Sequence, residues 1–132
     1  MRLRLLGLAI IVILVIAVFG VYAGLTYPKT ALSFPVAFTA GVDFTNQEFE
    51  VPFLNDKVQV EVAVESGASL WHAEILSQGE AVWNHTATQG EQTNYQSGWI
   101  QLPSGSYNFT FGTIGIGSLN AQVTVTSKGA FW

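Results

Sequence analysis

Histidine occurs twice in the chain, at His72 and His85, and a carboxylate, Glu74, lies close by. The segment that holds them reads as a β-hairpin. Residues 69–76 and 80–86 are joined by Ser77-Gln78-Gly79, and a glycine at the second of two loop residues suits the turns that link antiparallel strands. With Gln78-Gly79 as the loop, Ser77 faces Glu80, His72 falls opposite His85, and Glu74 opposite Trp83, all on one face. Two imidazoles and a carboxylate at that spacing can hold Zn²⁺ or Cu²⁺, with water completing the shell. The plainer expectation is a pair of solvated histidines on an outer sheet face. The core face would then carry Trp71, Ala73, Ile75 and Val82, while Leu70, Leu76 and Trp83 share the histidine face and require packing there too.

Other chemistry is sparse. The absence of cysteine removes disulfides, thiolate metal sites, haem attachment and a cysteine nucleophile. No GxSxG, HExxH or ordered Ser/His/Asp pattern occurs, so a non-enzymatic protein without a required cofactor is expected. Asp43, Glu48, Glu50 and Asp56 lie along an extended segment with no calcium-loop pattern, which reads as a solvated face. Asn84-His85-Thr86 and Asn108-Phe109-Thr110 match the N-glycosylation acceptor, and Asn84 is the better placed of the two. Tyr95, Trp99 and Trp132 are candidate platforms for sugar rings, although aromatics in a small β domain more often build the core. The terminal pair Phe131-Trp132 must dock on its own domain, a membrane interface or a partner.

The elements that position these residues begin with residues 5–25, LLGLAIIVILVIAVFGVYAGL, an uncharged run of about 21 residues. A bilayer core needs about 20. Arg2 and Arg4 place the start (1–4) on the cytoplasmic side by the positive-inside rule. The expectation is a single-pass anchor in the cell membrane, with the C-terminal body extracytoplasmic. Cleavage near Ala23 is the alternative, but the run is longer than a signal core. A pilin-like helix fits poorly, since Gly7 is not next to the basic residues and Val12 stands where a glutamate is usual. Gly20 and Gly24 have the GxxxG spacing through which a second helix can approach.

After a tether at 26–31, the period changes from helical to two, and residues 32–132 read as one extracytoplasmic domain. Leu32, Phe34, Val36, Phe38 and Ala40 alternate with polar or small residues, and Pro35 assigns that strand to a sheet edge. Phe49, Val51 and Phe53 mark a second strand, and Val58, Val60, Val62 and Val64 a third. After the hairpin come a strand at 93–102, one through Tyr107, Phe109 and Phe111, and a last through Leu119, Ala121, Val123 and Val125. About eight short strands with regular turns predict an all-β fold, an antiparallel β-sandwich or jelly-roll-like ectodomain. The pattern Leu102-Pro103-x-Gly105-x-Tyr107-x-Phe109-x-Phe111 resembles a hairpin of many small sandwiches, including GOLD-type lumenal domains. That resemblance covers about ten residues and implies only the sandwich, because GOLD proteins carry their membrane helix at the other end.

Charged residues make up only 11% of the chain and the net charge is −4, which argues against nucleic acid as a partner. Few charges, amide-rich wet faces and 17 aromatics (nine Phe, four Tyr, four Trp) suit a domain partly covered by other proteins. The leading expectation is a non-catalytic accessory subunit of a membrane or cell-surface assembly. Two alternatives stand beside it. One is a surface module binding metal at His72, His85 and Glu74, or glycan. The other is a secreted filament subunit, cut near Ala23, whose segment 32–40 completes a neighbour's sheet.

Overall fold

The computed structural model describes residues 2–39, 41–67, 70–87, 94–115 and 118–129. Phe131 and Trp132 therefore lie outside the described residues. One helix, α1 (Arg2–Thr26), precedes nine strands among the described residues: β1 (Lys29–Phe38), β2 (Gly41–Val51), β3 (Lys57–Gly67), β4 (Leu70–Ser77), β5 (Glu80–Thr86), β6 (Tyr95–Gln96), β7 (Ile100–Gln101), β8 (Gly105–Gly115) and β9 (Leu119–Lys128). One sheet runs β1-β9-β3-β6, with β7 also on β3, and the other β2-β8-β4-β5. All pairs are antiparallel. The two sheets stack as a β-sandwich.

Alternation along each strand makes this core. Val58, Val60 and Val62 of β3 and Val123 and Val125 of β9 are fully enclosed, facing Ile75 of β4 and Phe109 and Phe111 of β8. Phe34 of β1 meets Phe109 and Phe111 edge-on, with ring centres 5.9 and 6.5 Å apart. Each such side chain contributes about 1.5–3 kcal/mol through burial, and this is how a chain without cysteine stays folded. β1 lies at a sheet edge with Pro35 exposed, as its missing N–H requires.

Three segments differ from expectation. The strand expected at 93–102 is two short ones, because the chain turns away between them at Gly98, where φ is +73°. There the Ser97 hydroxyl accepts the Val60 N–H at 2.8 Å, standing in for a ladder carbonyl. Phe53 does not extend the buried face of Phe49 and Val51 but is 73% exposed. Pro52 cannot donate to the ladder, and its carbonyl accepts the Asn55 N–H at 3.0 Å to close a turn, with Leu54 at φ +68°.

The third is the tether, which shrinks to Tyr27-Pro28. Thr26 is buried and ends the helix, its hydroxyl donating to the Tyr22 carbonyl at 2.8 Å. The Gly129 N–H meets the Thr26 carbonyl at 2.9 Å, while Asn55 Nδ2 and Lys29 Nζ donate to the Leu25 carbonyl at 3.2 and 2.9 Å. These bonds satisfy carbonyls that a helix end leaves open. A side chain at Gly129 would overlap Thr26 and the Leu54 carbonyl, so the joint needs glycine there. Most of α1 before its last turns is exposed, and the helix is long and apolar enough to cross a membrane.

Candidate functional site

The β4–β5 hairpin turns as expected, with Gln78 and Gly79 both at positive φ, 51° and 84°, and Ser77 opposite Glu80. One residue later the register shifts. Leu76 pairs with Ala81 and Ile75 with Trp83, leaving Val82 as an extra residue in a β-bulge. Because side chains alternate with period two, one inserted residue moves everything beyond it to the other face. His72 therefore pairs with Thr86 and Glu74 with Asn84, while His85 comes opposite Ala73 and turns inward. The metal trio is thereby corrected. His72 and Glu74 stay on the outer face, but His85 stacks on Tyr95 at 4.0 Å and lies 5.5 Å from Trp71. The same shift carries Trp83 toward the core and Val82 into solvent. Among the described residues no group of three His, Cys, Asp or Glu gathers to hold a metal.

On the outer face, His72 is held from both sides. Its Nδ1 lies 2.6 Å from the Thr86 hydroxyl and its Nε2 3.2 Å from Glu74 Oε1. With the Thr86 O–H donating to Nδ1 and Nε2–H donating to the carboxylate, both bonds are made by one neutral tautomer. The order hydroxyl, imidazole, carboxylate is that of a hydrolase relay. A hydrolytic site would also need donors aimed at a developing oxyanion; here the Glu74 end of the trio is flanked by Asn84 and Thr110, and the His72 end by Gly112 and an apolar surface. What the arrangement supplies is a fixed polar edge.

Beside it runs an apolar groove of about 200 Å³, lined by Val42, Phe44, Leu70, His72, Gly112 and Ile114, with Trp71 as floor. Its rows follow from register. Val42, Ile114 and Leu70 lie side by side across β2, β8 and β4; next come Phe44, Gly112, His72 and Thr86; then Asn46, Thr110, Glu74 and Asn84. The Phe44 ring covers Gly112 so closely that a side chain there would strike it, a known way to cover a glycine in a sheet. Phe44 nevertheless keeps 69% of its surface exposed.

Sequence reasoning missed Val42, Phe44 and Ile114, yet a signal was present. Phe49 and Val51 occupy odd positions of β2, while Val42 and Phe44 occupy even ones. That change of phase within one strand marks apolar residues on the face away from the core.

No protein-family model and no curated protein matches the chain. Solved structures do. The pre-peptidase C-terminal domain of collagenase from Bacillus anthracis aligns with a TM-score of 0.53 at 12% identity, covering 72% of this chain and 88% of that one. A carbohydrate-binding module of Cellvibrio mixtus lichenase 5A, solved with cellotriose, aligns at 0.41 and 16% identity, covering 74% and 88%. The likeness is one of fold. At such identity only the β-sandwich architecture carries over.

The remaining candidates are spread over the molecule. Asn84 on β5 and Asn108 on β8 are both exposed on the outer face of β2-β8-β4-β5, with Glu48 of β2 beside Asn108 and Glu50 opposite Ser106. Tyr95 packs against Trp71 and His85 and is no platform. Trp99 is 42% exposed with the Lys128 ammonium 4.1 Å from its ring centre. Gly20 and Gly24 leave open space on α1. β1 pairs with β9 along its length, so strand addition by that segment would first have to open its own sheet.

Proposed function

We propose that this protein is a non-catalytic, single-pass membrane protein whose extracytoplasmic β-sandwich serves as an accessory subunit, recognising a partner through the outer face of β2-β8-β4-β5. One observation carries this reading: the exposed apolar cluster of Val42, Phe44, Leu70 and Ile114 sits at the end of the sandwich remote from α1. Exposed apolar groups rimmed by polar ones are typical of interaction surfaces. An anchored α1, with Arg2 and Arg4 held inside, would present that cluster away from the bilayer. The exposed Phe44 ring, next to Gly112 and the Thr86-His72-Glu74 edge, favours glycan as a second reading of the same surface.

Photo-crosslinking in intact cells tests it. Benzoylphenylalanine at position 44 is expected to give one discrete adduct, and the same probe at position 122, on the other sheet, none. Equal labelling from both sites would refute a specialised face. The intact mass of the mature chain decides the anchor separately: a start beyond Ala23 would convert it to a secreted protein.

A further inference from the structure

The chain has five basic residues, of which Arg2 and Arg4 open it and Lys29, Lys57 and Lys128 are spread over a hundred positions. The fold gathers all three lysines at the joint. Lys29 bonds the Leu25 carbonyl, Lys128 precedes Gly129, which bonds the Thr26 carbonyl, and Lys57 is the direct cross-strand partner of Lys128. Like charges placed directly opposite destabilise a sheet, and Lys57 makes no ion pair among the described residues. Asp56, adjacent in sequence, is the acid nearest along the chain; its backbone N–H bonds the Lys128 carbonyl, and its Oδ1 is buried with no hydrogen-bond partner among the described residues.

Apolar side chains cluster at the same end. Phe53 is 73% exposed, Tyr27 56% and Trp99 42%. Leu54 occupies a turn position at φ +68° where glycine or asparagine is usual. It holds that conformation with its side chain beside Val21, Tyr22 and Leu25, on the last turns of α1. The turn thus reaches down along the helix rather than away from it.

We infer that this end of the sandwich is a lipid-docking collar that takes anionic phospholipid headgroups at the cross-strand pair Lys57 and Lys128, with Lys29 on the other side of the sheet capping α1, while Phe53, Leu54 and Trp99 enter the interface. The inference rests on α1 being an anchor. The headgroup layer is about 5–7 Å deep on each side of the hydrocarbon, about two residues of strand. Residues 5–25 fill the hydrocarbon, so Thr26 marks its edge, and side chains within two positions of that joint fall in the layer. Aromatic rings and lysines with long apolar stems are the residues that settle there.

The chain lacks cysteine, so single-cysteine reporters can be placed in the full-length protein. Phe53→Cys, Phe44→Cys and Val15→Cys, each carrying an environment-sensitive fluorophore, are placed in nanodiscs of phosphatidylcholine with or without phosphatidylglycerol. Nitroxide lipids serve as quenchers. The expected result is a blue shift and lipid quenching at positions 53 and 15 and a water-like spectrum at 44. Phosphatidylglycerol should deepen the signal at 53, and Lys57→Gln and Lys128→Gln should each weaken that preference about fivefold. A lipid-buried probe at 15 with a water-like one at 53 would overturn the collar and leave the anchor intact. Quenching at 53 that ignores lipid charge would overturn headgroup binding. A water-like probe at 15 would overturn the anchor and the collar together.

Discussion

The two outer faces of the sandwich are built from the same alternating strands and present opposite surfaces. Across β1, β9 and β3, the outward residues bond one another: Gln122 Nε2 donates to Ser33 Oγ at 2.7 Å and Asn120 Nδ2 to Ser66 Oγ at 3.0 Å. Across β2, β8 and β4, the outward residues at one end are Val42, Phe44, Ile114 and Leu70, each at least 39% exposed. The first face is already satisfied by its own cross-strand bonds. The second keeps apolar surface that gains by being covered, at about 25 cal/mol per Å². Across β2, β8 and β4, the exposed apolar area of the outer face is concentrated at the end remote from α1.

Removing the support common to both faces has the largest expected effect. Phe109 is wholly buried behind them, and Phe109→Ala should lower stability by about 3–5 kcal/mol in chemical denaturation. Deleting Val82 should come next. It would straighten the bulge and turn both Trp83 and His85 from the inner to the outer face, so a loss of more than about 2 kcal/mol is expected. An unchanged midpoint would mean that the bulge does not set the faces.

A smaller effect separates the two surfaces themselves. Phe44→Ala should cost no more than about 1 kcal/mol, for the lost cover over Gly112, yet abolish the crosslink formed from benzoylphenylalanine placed at Ile114 on the same face. Gln122→Ala should leave recognition unchanged. If both variants bind alike, the contrast between the faces has no functional meaning.

The smallest effect belongs to Tyr107, whose hydroxyl donates to the Pro103 carbonyl at 2.6 Å. Burial raises its pKa above the usual tyrosine value. A group raised on folding contributes stability that is complete below its unfolded pKa and lost as pH rises through the folded one. Tyr107→Phe should therefore cost about 1 kcal/mol at neutral pH and make stability flatter with pH above about 10. Denaturation midpoints at neutral and alkaline pH would check both parts.

Much of this architecture was legible in the residues alone. The period of two placed Phe34, Val58, Val60, Val62, Phe109, Phe111, Val123 and Val125 inside, Pro35 put β1 at an edge, and Gln78-Gly79 fixed a turn. Each of these is a local property: which way a side chain points, whether an N–H exists, whether φ can be positive. The candidate site was not legible in the same way. Among the described residues, β4 and β5 are the only pair of consecutive strands bonded to each other, while elsewhere the chain passes between sheets or returns to β3. Period two says which side is buried but names no partner strand. It also cannot announce a one-residue bulge, which is why His72 and His85 looked adjacent. Only the folded sheets brought Val42, Phe44, Leu70 and Ile114 into one patch and Lys29, Lys57 and Lys128 to one end. Those groupings depend on hydrogen bonds between segments far apart in the chain, and no local pattern encodes such distances.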